Sequence, residues 1–117
     1  MKKSNIVQKN TDFSKIINQG TCVKDKNLVI YALNNDLLKA RFGLSVGTKI
    51  GKAHLRNKFK RQLRNIVDNY KNSYSKSKDY IIIVRKGCLD STFQEIEKSY
   101  RYLMEKLNNN EGRKHEK

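Results

Sequence analysis

The stretch AHLRNKFKRQLRN, residues 53–65, carries five Lys or Arg and no acid, while its Leu and Phe recur at the spacing of a helix. Guanidinium forks and ammonium groups are suited to holding phosphate, and an asparagine among them can donate or accept. On a wheel at about 100° per residue with Leu55 at zero, Leu55, Phe59, Leu63, Ile66, Val67 and Tyr70 fall within an arc of roughly 120°. Arg56, Asn57, Lys60, Arg61 and Arg64 occupy roughly 100° to 240°, beside that stripe, and Lys58 falls near about 300°. One side of this helix is predicted to face a core, with Phe59 as an anchor, and another to face a ligand.

A solvated helix face ordinarily mixes signs, because like charges at i, i+4 destabilise a helix by roughly 0.2–0.5 kcal/mol per pair. Here Lys52, Arg56, Lys60 and Arg64 form an unbroken ladder of one sign. Lys49, Lys52 and Arg56 also stand at or before the helix start, where the macrodipole disfavours cations by roughly 0.3–1 kcal/mol each. Between Asp36 and Asp68 there are nine Lys/Arg and no acid. An external phosphate backbone would offset that repulsion. The whole chain shows the same bias, with 26 Lys+Arg, 11 Asp+Glu and a net charge of +15 on 117 residues, which points to a polyanionic partner.

Other chemistry is thinly represented. His54 and His115, the two histidines, have no paired carboxylate or cysteine at useful spacing, so no catalytic side chain and no protein-held metal cluster are expected. Cys22 and Cys88 match neither a zinc spacing nor a disulfide framework and read as reduced, partly buried thiols. The N-terminal MKKSNIVQKN is polar after its lysines and the longest apolar run is Tyr80 to Val84. A cytoplasmic protein without a membrane partner is therefore expected.

The elements that must position the basic helix can be read in order. NTDFSKIINQG offers Asn10 or Thr11 as a cap, Phe13, Ile16 and Ile17 at helical spacing, and Gly20 as a stop. A short strand, a turn at KDKN and a longer strand over Leu28 to Leu33 follow. ARFGLSVG alternates, with Ala40, Phe42, Leu44 and Val46 on one side and Arg41, Gly43, Ser45 and Gly47 on a nearly bare one that another group could approach closely. DYIIIVRK is apolar on both parities, as a central strand covered on both faces should be. DSTFQEIEKSYRYLMEKL opens on Ser91 with Gln94 three on and continues at helical spacing. The order α-β-β-β-α-β-α defines a small α+β sandwich, one domain over 1–117, with an ordered core at about 10–107, weakly extended or disordered residues 1–9 and a polar tail at 108–117.

No helix-turn-helix spacing is evident, whereas a sheet with exposed aromatics is the usual platform for single-stranded RNA. Phe13 and Tyr31 are the candidate stacking residues. GLSVGTKIGKAHLRNKFKRQLRN resembles the signature of the bacterial ribonuclease P protein family: a G-L-S-V strand, a lysine and a glycine, then an R-N-x-x-K-R-x-x-R helix. The first helix ending in a G-T turn, the V-x-Y strand and the D-Y-I-I-I-x-R-K strand occur in the expected order, so the resemblance spans nearly the whole chain.

That resemblance implies a fold like the second domain of ribosomal protein S5, with a left-handed βαβ crossover through the basic helix. It implies an RNA-binding protein subunit that assists a catalytic ribonuclease P RNA in removing the 5′ leader from precursor tRNA, with magnesium ions held mainly by the RNA. The protein alone is expected to be a monomer. Carried over by position, Lys49, Lys52, Arg56, Asn57, Lys58, Lys60, Arg61 and Arg64 would meet the RNA subunit, while Phe13, Ile17, Tyr31 and Ser45 would line a leader-binding cleft. The chain departs from the family pattern in places: Lys58 replaces an arginine, Ile17 stands where a further aromatic is common, SVGTK lacks a Ser and a Lys often seen there, and SNIVQKN is less basic than the family form. A ribosomal protein would share the charge, the fold type and the RNA partner, and would be distinguished by failure to associate with the ribonuclease RNA. A membrane-surface helix would need the apolar stripe that the core requires.

Overall fold

The computed structural model describes residues 6–7, 10–37, 39–70 and 77–116, the last eight of these by backbone alone. The elements are α1 (Asn10–Gln19), β1 (Thr21–Lys24), β2 (Leu28–Asn34), β3 (Arg41–Ser45), α2 (Ala53–Asn69), β4 (Lys78–Val84) and α3 (Phe93–Glu116). Short 3-10 turns at Thr48–Ile50 and Lys86–Asp90 precede α2 and α3. This is the order α-β-β-β-α-β-α that the sequence pattern predicts.

The four strands form one mixed sheet in the order β1-β2-β4-β3. β1 and β4 both run antiparallel to β2, while β3 lies parallel to β4, so α2 makes the crossover between parallel neighbours. β4 is central, which explains its double-sided apolar sequence: Tyr80, Ile82 and Val84 enter one cluster and Ile81 and Ile83 the other. The larger cluster lies under α2 and α3, through Phe59, Leu63, Ile66 and Val67 of one helix and Ile96, Tyr100, Leu103 and Leu107 of the other. The smaller one lies under α1, around Ile16, Ile81 and Val7. Among the described residues the molecule thus has three layers, with α1 the helix on one side of the sheet and α2 and α3 on the other.

The predicted stripe on α2 is the observed one, with Leu55 and Tyr70 packing at its margins. Gly20 closes α1, its N–H donating to the Ile16 carbonyl at 2.8 Å. Of residues 1–9, only Ile6 and Val7 fall within the described residues; Ile6 bridges Phe42 and the Val7 N–H donates to the Phe42 carbonyl. Along α3 the helix continues through Glu116, taking in nearly all of the stretch that reads as a polar tail. Once nucleated, a helix extends by one hydrogen bond per residue fixed.

Two sequence expectations are corrected. The reciprocal cap of α3 is one residue later than Ser91 and Gln94. Thr92 Oγ1 accepts from the Glu95 N–H at 3.2 Å and Glu95 Oε1 accepts from the Thr92 N–H at 2.9 Å. Ser91 is engaged elsewhere, donating to Asn27 Oδ1 at 2.9 Å. The second correction concerns the thiols, since Cys22 is exposed and only Cys88 is buried. Burial pushes the Cys88 thiol up to about 11, so it is protonated and inert.

Asn27 ties the β1–β2 turn to α3 by donating to Ser99 Oγ at 2.8 Å. Gly87 lies against the same turn, where an added Cβ would stand 2.1 Å from the Lys26 carbonyl oxygen. Because both sides of that contact are backbone, Gly87→Ala is expected to destabilise the fold by about 1–3 kcal/mol. A thermal melt checks this; an unchanged Tm would show that the turn yields without strain.

Candidate nucleic-acid interface

The basic residues are carried on a rigid element. Burial of Phe59, Leu63, Ile66 and Val67 fixes the roll of α2 about its axis, so the side chains on the remaining arc are aimed outward. Asn57, Lys58, Arg61 and Arg64 are exposed and Arg56 and Lys60 half-buried, while Lys49 and Lys52 stand exposed just before the helix. Lys52 is the N-cap residue without a side-chain cap bond, and the first turn contains no acid. The helix therefore presents its positive end and its cations together.

Among the described residues, no carboxylate lies within ion-pair distance of Lys49, Lys52, Arg56, Lys58, Lys60, Arg61 or Arg64. Among the described residues, buried Arg56 Nε finds no hydrogen-bond acceptor, an unsatisfied donor of the kind that functional surfaces tolerate. Arg41 is the exception in the acid-free stretch. Its Nε and Nη2 donate to Asp79 Oδ1 and Oδ2 at 2.8 and 2.6 Å, and its Nη1 lies 3.6 Å from Asp12 Oδ2. Apart from Lys39, between β2 and β3, the cation excess between Asp36 and Asp68 is thus carried by the α2 side, with Arg41 neutralised from distant sequence.

Phe13, Ile17, Tyr31 and Ser45 all lie on the α1 side of the sheet. Phe13 and Tyr31 pack at the margin of the smaller cluster, and Ile17, one turn on from Phe13, is 38% exposed. Phe13 fills the space over Gly43, where a Cβ would stand 2.6 Å from its ring. The bare face predicted for β3 is therefore approached by a residue of this same chain. Ser45, two residues further along that face, is half-buried.

Sequence reasoning missed two features here. Cys22 is the register partner of Tyr31, so the exposed thiol shares that face. Burial, then the neighbouring Cys22, pushes the Tyr31 hydroxyl above its ordinary value, keeping it neutral beside any phosphate. The second is the group Arg41, Asp79, Asn35 and Asp12, whose only trace in the sequence is one acid at the start of an otherwise apolar strand. Burial pushes Asp79 up, but hydrogen bonds from Arg41 and Asn35 and the nearby positive charges outweigh it and hold the carboxyl below its ordinary value.

A mixed sheet with helices on both faces, one of them a cationic helix with no carboxylate in reach among the described residues, defines a strongly basic α+β protein. Among its described residues no helix is long and apolar enough to cross a membrane. The ribonuclease P family model matches residues 1–108, and the chain belongs to the ribonuclease P protein family. It is 42% identical over 107 residues to the ribonuclease P protein component of Bacillus velezensis, covering 91% of each chain. With that of Streptococcus pneumoniae the identity is 37% over 104 residues, covering 89% of this chain and 85% of the relative.

Solved structures agree. A mutant ribonuclease P protein of Staphylococcus aureus, described as defective in mRNA degradation activity, superposes with a TM-score of 0.85 at 34% identity, over 91% of this chain and 90% of that one. The Thermotoga maritima protein superposes with a TM-score of 0.79 at 27% identity, over 86% and 94%. Membership makes this chain a protein component of the ribonuclease P endoribonuclease, a ribonucleoprotein of tRNA 5′ processing, with the ribonuclease P RNA as its partner.

Proposed function

We propose that the outer side of α2, with Lys49 and Lys52, docks on the catalytic ribonuclease P RNA, and that the α1 side of the sheet receives the single-stranded 5′ leader of precursor tRNA. The observation that carries the first half is the set of seven cations on and before α2 with no carboxylate in reach among the described residues. In this reading Arg56, Asn57, Lys60, Arg61 and Arg64 form a lattice of phosphate donors, joined by Lys58 at its side. These contacts position the RNA without reading its sequence. Phe13, Ile17, Tyr31 and Ser45 supply the stacking and polar surface for the leader. The protein acts as a cytoplasmic monomer that joins the RNA.

Chemistry resides in the RNA. Among the described residues no group of three or more His, Cys, Asp or Glu is placed to hold a metal ion. Of the carboxylates beside α1, Asp12 and Asp79 are engaged by Arg41, and Asp36 lines a surface pocket with them. That donor set does not make an oxygen cage for magnesium, which fits metal ions held mainly by RNA phosphates. The protein's contribution is binding energy remote from the scissile phosphate, used to align substrate.

The test is cleavage of a precursor tRNA by a cognate ribonuclease P RNA at low magnesium, with and without the chain. Stimulation by the folded protein is expected; its absence would leave only a general RNA binder. Phe13→Leu, which keeps apolar bulk over Gly43, is expected to reduce preference for leader-bearing substrates by roughly five- to tenfold, the lower part of what one stacked base contributes. Affinity for the RNA subunit should not change, and an equal loss in both assays would return Phe13 to a purely packing role.

A further inference from the structure

We propose that Asp12, through Arg41, positions the first turn of α1 over the sheet and so sets the opening that receives the leader, an inference that rests on the leader-binding reading above. Asp12 and Phe13 are consecutive in that turn, and each meets β3. Asp12 Oδ2 lies 3.6 Å from Arg41 Nη1, and the Phe13 ring occupies the space over Gly43. Arg41 and Gly43 are two residues apart, hence on one face of the strand.

Arg41 is itself immobilised. Its fork engages both oxygens of Asp79, whose Oδ1 also accepts from Asn35 Nδ2 at 2.6 Å. Asn35 is held in turn by the Lys39 carbonyl at 3.2 Å. A cation fixed to the sheet therefore reaches up to the helix.

Packing holds α1 through Ile16, which is 1% exposed, but leaves the outer edge of the Asp12 flank open. With Phe13 at zero on the wheel, Ile17 falls at about 40°, whereas Asp12 and Lys15 fall at about 260° and 200°. On the Asp12 side lies a surface pocket of about 320 Å³, open to solvent and lined among others by Asp12, Lys15, Ile16, Leu33, Asp36 and Arg41. Filled interiors resist displacement. A helix edge that faces an open pocket has fewer contacts to resist a small roll about Ile16, and rolling would carry Phe13 away from Gly43. The ion pair spans that side and opposes the roll, so the leader surface on one flank of α1 depends on a charge on the other.

Asp12 does not line the leader surface and is a positioning residue. Its test uses the holoenzyme reconstituted from a cognate ribonuclease P RNA and the whole chain. Two precursor tRNAs are compared, one with a long leader and one with the leader trimmed to a single nucleotide. Asp12→Asn is expected to raise KM for the long-leader substrate about three- to fivefold, the range that a partly exposed ion pair supplies. Values of kcat, short-leader kinetics, RNA-subunit affinity and Tm should hold, and Asp12→Glu should restore most of the loss. Wild-type kinetics in Asp12→Asn on the long leader would overturn the inference, as would equal losses on both substrates or a loss accompanied by a lowered Tm. A wild-type holoenzyme that ignores leader length would overturn the leader reading and this inference with it.

Discussion

Replacing Arg56, Lys60, Arg61 and Arg64 together with glutamine is expected to weaken binding to the catalytic RNA roughly 10²- to 10³-fold and to abolish stimulation of cleavage at low magnesium. Each lost phosphate contact removes a charge-assisted hydrogen bond, worth on the order of 1 kcal/mol or more. It also removes a released counterion, so the slope of log affinity against log salt should become shallower by about 3 for four contacts. The fold should survive, because Lys52, Arg56, Lys60 and Arg64 repel one another along α2 and the core stripe of Phe59, Leu63, Ile66 and Val67 is untouched. A Tm no lower than that of the wild type, combined with lost affinity, separates docking from stability. An unchanged salt slope would remove this face from the interface.

The largest effect on stability is expected at Asp79. Asp79→Leu leaves the Arg41 guanidinium without its bidentate partner and Asn35 Nδ2 with the Lys39 carbonyl but without its shorter acceptor, at a position where Asp79 is 5% exposed. An uncompensated buried charge of this kind costs about 3–5 kcal/mol, a large share of the roughly 5–15 kcal/mol that holds a small domain folded. Denaturant unfolding measures the loss. Leu at both Arg41 and Asp79 should recover stability relative to the single variant, since no charge is then left unpaired. A single variant that unfolds with the wild type would mean that water or Asp12 already compensates the pair.

The same pair gives a pH dependence with a definite sign. The folded-state pKa of Asp79 lies below its ordinary value of 3.8. The unfolded state therefore binds the proton more readily, and the stabilisation is fully present above that ordinary value. It is lost as pH falls through the lower folded value, and Asp79→Leu should remove that part of the acid-unfolding curve.

What could be read from the residues alone follows from periodicity and charge. α2 was legible because Leu55, Phe59, Leu63, Ile66 and Val67 repeat at helical spacing while its cations occupy a separate arc, and both signals are complete within one element. β4 was legible as a central strand from its apolar run, and β3 from its alternation. The cap of α3 lies at Thr92, one residue later than Ser91, although both hydroxyls satisfy the same local pattern. Only Asn27, far off in sequence, shows which hydroxyl is already engaged.

Tertiary structure decided the rest. The order β1-β2-β4-β3, the parallel pairing of β3 with β4 and the placement of α1 on the side opposite α2 and α3 depend on contacts between distant segments. Arg41 looked like one more member of a basic run until Asp79, 38 positions on, and Asp12 were brought beside it. Phe13 gained its place over Gly43 in the same way. Side-chain period and charge are properties of a single segment and survive in the linear order, whereas the partner of a strand or of a buried ion is set by which distant groups the packed core brings within a few ångströms.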